Sequence, residues 1–161
     1  MNSFREFPAR PVVGVGGVVI HDGRVLLVRR GAEPLRGEWS LPGGTLELGE
    51  SLVAGVAREL LEETAIAVRV LDLIEVFDRV FYDLGGRLVS APVGEIAKPR
   101  YHYVIADYLC ERISGEPRAG SDVTDLAFSH EEELQRFHLS ETATRIIRKA
   151  FALHRDRRES A

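Results

Sequence analysis

The 161-residue sequence lacks the features that mark several specialised classes of protein. Its single cysteine, Cys110, excludes an internal disulfide and a cysteine-rich metal site, and its apolar neighbours predict a buried core thiol. No apolar run approaches the ~20 residues that span a membrane, and residues 1–11 contain no apolar core of a secretion signal. We therefore expect a cytoplasmic protein without a membrane partner.

The charge balance also excludes a class of partner. The net charge is −4, so no overall basic character predicts binding to nucleic acid. Hydrophobic residues make up 45% of the chain and charged residues 29%, which is enough apolar material for a core without cross-links. The chain shows neither an internal repeat nor a low-complexity linker. We expect a single domain over residues 1–161, with a core from about 10 to 153 and frayed termini.

Short β-branched segments alternate with helical patterns along the chain. Strands are predicted over 12–20, 24–30, 39–41, 66–82, 101–110 and 123–128, with turns at 21–23 and 83–86. Helices are predicted from residue 50 or 51 to 64, over 131–136, and from the N-cap Ser140 to about Leu153. Residues 43–49 are predicted to be a loop, and residues 87–98 an irregular insertion that is a candidate lid or dimer contact. This order predicts an α/β fold with a mixed sheet covered on both faces.

The segment RELLEE, residues 58–63, raises a question of charge. On a wheel of about 100° per residue, Glu59, Glu62 and Glu63 fall on one side of a helix, away from its apolar side. Like charges at this spacing repel, so either water screens them or a cation lies between them. Carboxylate oxygens suit Mg²⁺ or Mn²⁺. The alternative is a merely solvated acidic face, which predicts no effect of Mg²⁺ on thermal stability or ligand binding.

The residues upstream place these acids in a longer pattern. The pattern G-x5-E-x7-R-E-x-x-E-E is formed by Gly44, Glu50, Arg58, Glu59, Glu62 and Glu63. This pattern, together with the run LPGGTLELGES and the approach RGEWSLPGG, resembles the signature of the Nudix hydrolases. The resemblance implies a Nudix-type α/β/α sandwich around a mixed β-sheet. It also implies divalent-metal-dependent hydrolysis of a nucleoside diphosphate linked to another group. The chain departs from the family pattern at Ala65, where Gly is expected, so we expect either a strained helix end or a slightly different helix exit.

The resemblance also implies roles for single residues. The implied metal ligands are Glu59, Glu62, Glu63, Glu50 and Gly44, and the implied catalytic residues are Glu59, Glu62 and Arg58. The chemistry agrees, because a guanidinium can hold a carboxylate by a forked hydrogen bond and glycines allow close approach of backbone to ligand. The general base is Glu59 or Glu62, or an acid from a later loop. The later candidates are Asp122, Asp125, Glu131 and Glu132.

Substrate contacts are predicted from position and residue type. Arg29 and Arg30 alternate across a strand, so one of them can face the site and bind phosphate. Trp39 is a candidate for stacking on a base, although packing is its alternative role. Gly43 and His102 are candidates for lining the pocket, and a structural role is the alternative for the histidine.

A second resemblance concerns the substrate. The runs RVLLVRRGAEPLRGEWSLPGG and RYHYVIADYLCE resemble family members that act on ADP-ribose or related sugar nucleotides. A nucleoside triphosphate pyrophosphohydrolase is the alternative within the same chemistry, and a non-catalytic nucleotide-binding regulatory module is the alternative outside it. In each case the partner is a small nucleotide. A homodimer is expected by analogy with relatives.

Overall fold

The computed structural model describes residues 4–90, 98–120 and 122–161. Its strands are β1 (Val12–His21), β2 (Arg24–Arg30), β3 (Trp39–Ser40), β4 (Gly43–Thr45), β5 (Ala67–Leu84), β6 (Arg87–Val89), β7 (Tyr101–Ser114) and β8 (Val123–His130). Its helices are α1 (Leu52–Thr64), a 3₁₀ helix (Glu131–Phe137) and α2 (Glu141–Glu159). These elements confirm the predicted order of strands and helices.

The described strands form one curled mixed sheet. The main path runs β3-β2-β1-β7-β5-β6, with β4 paired to β1 and β8 paired to β2. Strands β1 and β7 are parallel, with Val12 opposite Tyr103 and Val19 opposite Cys110. The other pairings are antiparallel. Because side chains alternate across a strand, β1 and β7 each contribute residues to both faces of the sheet.

Each face of the sheet is covered by a helix. On one face, Val56 and Leu60 of α1 pack against Val15 and Val19 of β1 and against Cys110, all almost fully buried. On the other face, buried residues of α2 and β7, among them Ile146, Ile147 and Leu109, form a second cluster. The predicted α/β fold with two covered faces and the predicted buried thiol are therefore confirmed.

Helix α1 begins and ends where the sequence predicts, for identifiable reasons. The side-chain oxygen of Ser51 accepts a hydrogen bond from the N–H of Ala54 at 3.1 Å, which satisfies a free donor of the first turn. At the other end, Ala65 has φ 59° and ψ 16°, and its N–H donates to the carbonyl of Leu61 at 3.0 Å. This left-handed conformation favours glycine, so the predicted strained helix end is confirmed.

Several predicted boundaries were wrong, and β7, for example, runs to Ser114 instead of ending at Cys110. Residues 43–45, predicted as loop, form β4 because they pair with Gly14–Gly16 of β1, a partner far away in sequence. Residues 87–89 of the predicted insertion form β6, which pairs with the end of β5 across a turn of two glycines with positive φ. Helix α2 continues past Leu153 to Glu159, and an ion pair between Arg157 and Asp72 (2.7 Å) ties down its last turns. Residues 91–97 of the insertion lie outside the described residues.

Strand β5 is long and irregular. Its antiparallel pairing with β7 shifts register three times, between Ala67 and Val68, between Val70 and Asp72, and between Leu73 and Glu75. Such bulges increase the local twist of a strand. None of the helices within the described ranges combines the length and apolar character needed to cross a membrane.

Candidate active site

Helix α1 separates its apolar residues from its acids, as its sequence predicts. While Val56 and Leu60 are fully buried in the core, Glu59 and Glu63 lie beside β4. The backbone N–H of Gly43 donates to Oε2 of Glu63 at 2.9 Å. The predicted convergence of the glycine pair and the acidic side of the helix is therefore present in the fold.

Both glycines of β4 are required by this close contact. A Cβ atom at Gly44 would collide with the carboxylate of Glu59, and a Cβ atom at Gly43 would collide with the backbone carbonyl of Val15. Glycine is the residue type that leaves this space to the neighbouring groups. The pair therefore allows a helix carboxylate to rest directly on the backbone of a strand.

Arg58 organises the acids around it. Its Nε and Nη2 donate to the two carboxylate oxygens of Glu50 at 2.9 and 2.6 Å, which is the predicted forked contact. Its Nη1 donates to Glu59 at 2.8 Å and to Glu62 at 3.2 Å. Nη2 also donates to the carbonyl of Thr45, at 3.1 Å. One guanidinium thus links β4, the loop before α1 and the helix itself.

The acids of this cluster differ in their pKa values. The hydrogen bonds from Arg58 and from the N–H of Glu47 hold the pKa of Glu50 at about 2. Burial raises the pKa of Glu63 to about 7, against the lowering effect of the Gly43 N–H, and the charge of Glu59 adds to the rise. Burial also raises the pKa of Glu59, although Arg58 opposes it. Burial therefore disfavours the charged form of two neighbouring carboxyl groups, Glu59 and Glu63.

The donor set fits a hard divalent cation at Glu59 and Glu63. Both side chains are partly withdrawn from water, and carboxylate oxygens are the ligands that Mg²⁺ and Mn²⁺ take. In the ranges that the structure describes, no group of three or more His, Cys, Asp or Glu side chains stands arranged as a complete metal site. Arg58 engages Glu50, Glu59 and Glu62 instead. An ion here would complete its shell with water and ligand oxygens, as Mg²⁺ commonly does.

Of the four later acids, one lies near this centre. The negative charge of Asp122 contributes to the raised pKa of Glu63, and its carbonyl accepts the N–H of Gly31 at 3.0 Å. Asp125 accepts a hydrogen bond from the N–H of Leu126, and Glu131 forms an ion pair with Arg155 at 2.9 Å. Glu132 is exposed on the 3₁₀ helix. The fold therefore brings Asp122 close to Glu63.

The two predicted arginines of β2 take different positions. Arg30 is half-buried, donates from Nε to the carbonyl of Pro34 at 2.7 Å, and lies near enough to Glu63 for its charge to lower the pKa of that acid. Arg29 is exposed and donates to the carbonyl of Gly37 at 2.9 Å. The alternation predicted for this pair places Arg30 on the side of the acids.

The structure places Trp39 in packing contacts and His102 on the face of β7 opposite Tyr103. Trp39 packs edge-on against Phe137, with ring centroids 5.2 Å apart, and borders the core beneath α2. Tyr103 stacks with Tyr101 on one face of β7, so His102 points to the opposite face. Tyr103 is the residue near Arg30, whose charge lowers the pKa of this tyrosine against the dominant raising effect of burial.

Two arginines near Tyr103, Arg5 and Arg79, have no sequence pattern that marks them as part of a site. Arg5 lies close enough to affect the pKa of both Glu59 and Tyr103, and Arg79 lies close to Arg30. Arg5 precedes the first strand and Arg79 lies within a long strand, so neither belongs to a motif. Only the tertiary fold brings them together.

Comparison with known proteins agrees with this architecture. The model of the NUDIX domain family matches residues 10–151. An ADP-ribose pyrophosphatase of Methanocaldococcus jannaschii is 30% identical over 79% of this chain and 73% of its own length. An RNA pyrophosphohydrolase of Novosphingobium aromaticivorans is 33% identical over 71% of this chain and 69% of its own length.

A solved structure gives the same answer for the fold. The crystal structure of a MutT Nudix hydrolase from Burkholderia pseudomallei superposes with a TM-score of 0.70 at 29% identity, covering 87% of this chain and 98% of that one. The matched residues include β4, α1 and the acids of the sequence motif, Glu50, Glu59, Glu62 and Glu63, which we call the box. This chain belongs to the Nudix hydrolase family and is a Nudix pyrophosphohydrolase.

Proposed function

We propose that this enzyme hydrolyses the diphosphate linkage of a nucleoside diphosphate joined to another group, with ADP-ribose or a related sugar nucleotide as substrate and Mg²⁺ or Mn²⁺ as cofactor. The observation that carries the proposal is the pair of partly buried carboxyl groups, Glu59 and Glu63, beside the backbone of Gly43 and Gly44. Groups whose own burial disfavours their charge gain most from a cation, and a diphosphate is a ligand that brings one. The similarity to an archaeal ADP-ribose pyrophosphatase supports the choice of sugar nucleotide.

The roles of the acids follow from their surroundings. Glu59 and Glu63 would hold the ion from the helix, with Glu62 as a further ligand from the rim, where its side chain is 56% exposed. A bound divalent ion polarises phosphoryl oxygens and lowers the pKa of coordinated water. Arg58 fixes Glu50 and Glu59 in place, so it acts as a positioning residue for the cluster.

The chain must also accept a proton from the attacking water. Glu62 is exposed and held by a single 3.2 Å hydrogen bond from Arg58, so it can reach a water beside the cluster, whereas Glu59 is less exposed. Asp122 is the alternative base from outside the box. The water oxygen bonds to one phosphorus while the bridging P–O bond breaks, and the bridging oxygen leaves with the other phosphate.

A panel of nucleotides with Mg²⁺ and with Mn²⁺ tests this proposal. ADP-ribose is expected to yield AMP and a sugar phosphate, identified by chromatography, and the reaction is expected to stop in excess EDTA. Turnover that persists in EDTA would contradict the metal dependence. If the enzyme hydrolysed nucleoside triphosphates and not ADP-ribose, the substrate would be a nucleoside triphosphate instead of a sugar nucleotide.

Two other functions have specific support and the same panel separates them. The first is a nucleoside triphosphate pyrophosphohydrolase, which the similarity to an RNA pyrophosphohydrolase supports. Its products would be a nucleoside monophosphate and pyrophosphate. A non-catalytic nucleotide-binding module predicts saturable binding without any product. The intact set of box acids argues against the module, because a binding role alone does not require Glu62 and Glu63 together with Arg58.

Assembly and location stay predictions. A homodimer is expected by analogy, and sedimentation equilibrium at micromolar concentrations would show twice the mass of the 17.9 kDa chain. A cytoplasmic location is expected from the sequence, and fractionation of cells would show it.

A further inference from the structure

The half-buried guanidinium of Arg79 has little to compensate it. Burial lowers the pKa of Arg79, with an opposing contribution from Glu38 and a further lowering from Arg30. The guanidinium carbon of Arg79 lies over the ring of Phe81, 5.0 Å from the ring centroid. A cation that is partly desolvated beside a second cation gains free energy when an anion approaches.

Arg30 connects this cation to the acidic cluster. Its charge influences Glu63, Tyr103 and Arg79, so it lies near all three. Its Nε donates to the carbonyl of Pro34 at 2.7 Å, and this hydrogen bond does not occupy the two terminal nitrogens of the guanidinium. Arg30 and Arg79 thus border the same region from β2 and β5, which are separated in the sheet by β1 and β7.

Arg5 reaches the same region from the N-terminal segment. This segment is anchored at Glu6, whose Oε1 accepts hydrogen bonds from Tyr101 at 2.9 Å and from Arg100 at 3.0 Å. The N–H of Phe7 donates to the carbonyl of Arg100 at 2.8 Å. The Nε of Arg5 is buried and has no hydrogen-bond partner among the described residues, although its charge acts on Glu59 and Tyr103.

We propose that Arg5, Arg30 and Arg79 surround Tyr103 as a second anion subsite, which binds phosphate oxygens of the nucleotide that face away from the carboxylates. Arg79 and Tyr103 are direct partners in the pairing of β5 with β7, so their side chains lie on the same face of the sheet. Arg5, from the N-terminal segment, and Arg30, from β2, lie near enough for their charges to act on Tyr103. Guanidinium groups suit phosphate because they donate parallel hydrogen bonds. The nucleotide character of the ligand rests on the proposed function.

The subsite has a property that separates it from the metal centre. Because its charge comes from arginines, it binds a nucleoside diphosphate without any divalent ion. ADP is the probe, titrated into the full chain by calorimetry in excess EDTA. Wild-type protein is expected to bind ADP saturably, and Arg5→Ala and Arg79→Ala are each expected to weaken the dissociation constant by about tenfold or more.

Matched controls distinguish a subsite from a general loss of charge. Arg10→Ala removes an exposed arginine from the same N-terminal segment, and Arg69→Ala removes an exposed arginine from β5 that pairs with Glu111. Both are expected to bind ADP as the wild type does. Arg79→Lys is expected to recover part of the affinity, and it also serves if Arg79→Ala does not fold, as judged by thermal denaturation.

The kinetics provide a second readout. With Mg²⁺ and ADP-ribose, Arg5→Ala and Arg79→Ala are expected to raise KM with kcat within about twofold, which removal of ground-state binding produces. The double variant Glu59→Gln with Glu63→Gln is expected to lose turnover and keep ADP binding in EDTA. Unchanged ADP affinity in Arg5→Ala or in Arg79→Ala, or no ADP binding by the wild type in EDTA, would overturn the subsite. Failure of the proposed function would instead appear as absent hydrolysis across the substrate panel.

Discussion

The guanidinium of Arg58 grips both carboxylate oxygens of Glu50, eight residues earlier in the chain, at 2.9 and 2.6 Å. Lysine cannot make this fork, because an ammonium group is a single point of charge. We expect Arg58→Lys to lower kcat by about tenfold or more while the far-UV circular dichroism stays that of the wild type. Arg136→Lys, at an exposed pair with Glu133, is the control and should leave kcat unchanged. Equal kcat in the two variants would remove the positioning role of Arg58.

The carboxylates of the box test the metal assignment directly. We expect Glu59→Gln and Glu62→Gln each to lower kcat by about a hundredfold or more, since each loses a charge from the centre without a change of size. Glu116→Gln, whose side chain is 96% exposed, is the matched control. If both box variants turned over at the wild-type rate, the assignment of these acids to a metal site would be rejected.

Gly44 tests the contact between β4 and the helix. A methyl group there would displace the carboxylate of Glu59, so we expect Gly44→Ala to lower kcat/KM on the order of a hundredfold. The comparison variant is Gly23→Ala, in the first hairpin turn, where φ is 73° and the space is open. That variant is expected to lose about 1 kcal/mol of stability through strain alone and to keep its activity. Similar activity in both variants would contradict the close packing at Gly44.

A buried acid outside the box gives the protein a pH-dependent stability. Asp107 in β7 is 5% exposed, and burial, reinforced by the charge of Glu75, raises its pKa to about 7. Because the pKa of Asp107 in the folded state lies above its ordinary value of 3.8, this group's contribution to the free energy of unfolding is fully present below about pH 4. That contribution is lost as the pH rises through about 7. We expect the free energy of unfolding to fall over this range, by at most about 4 kcal/mol from this group.

Urea denaturation at pH 5 and pH 8 measures this effect. Asp107→Asn cannot ionise, so its unfolding free energy is expected to change less between the two pH values than that of the wild type. Asp78→Asn, on an exposed side chain of β5, is the control and should follow the wild type. A slope in Asp107→Asn as steep as in the wild type would assign the pH dependence to other groups, of which Glu63 is the first candidate.

The sequence predicts α1 well because local signals agree with one another there. Ser51 caps the helix, the apolar residues recur at helical spacing, and the glycine pair precedes the acids at fixed distance. Alanine at position 65 predicts strain at the helix end, and its φ of 59° confirms that strain. The box is therefore a case in which periodicity, capping and charge all specify the same structure.

The features that sequence reasoning missed depend on distant contacts. Strand β4 is three residues long and exists because β1 offers it a partner, so no local pattern marks it. Arg5 and Arg79 carry no local signal in the sequence, and only the fold brings them to Tyr103. Asp107 is different, because an acid inside the apolar strand YHYVIADYLC was a visible signal for a buried carboxyl group.

Two bulges of β5, between Val70 and Asp72 and between Leu73 and Glu75, limit how another chain can pair with this part of the sheet. An even strand at the border of a sheet offers its free amide and carbonyl groups at regular spacing, which invites a neighbouring chain to extend the sheet. The two extra residues of β5 between Val70 and Glu75 break that spacing. We therefore do not expect two copies of this chain to extend one sheet by pairing their strands at residues 70–75.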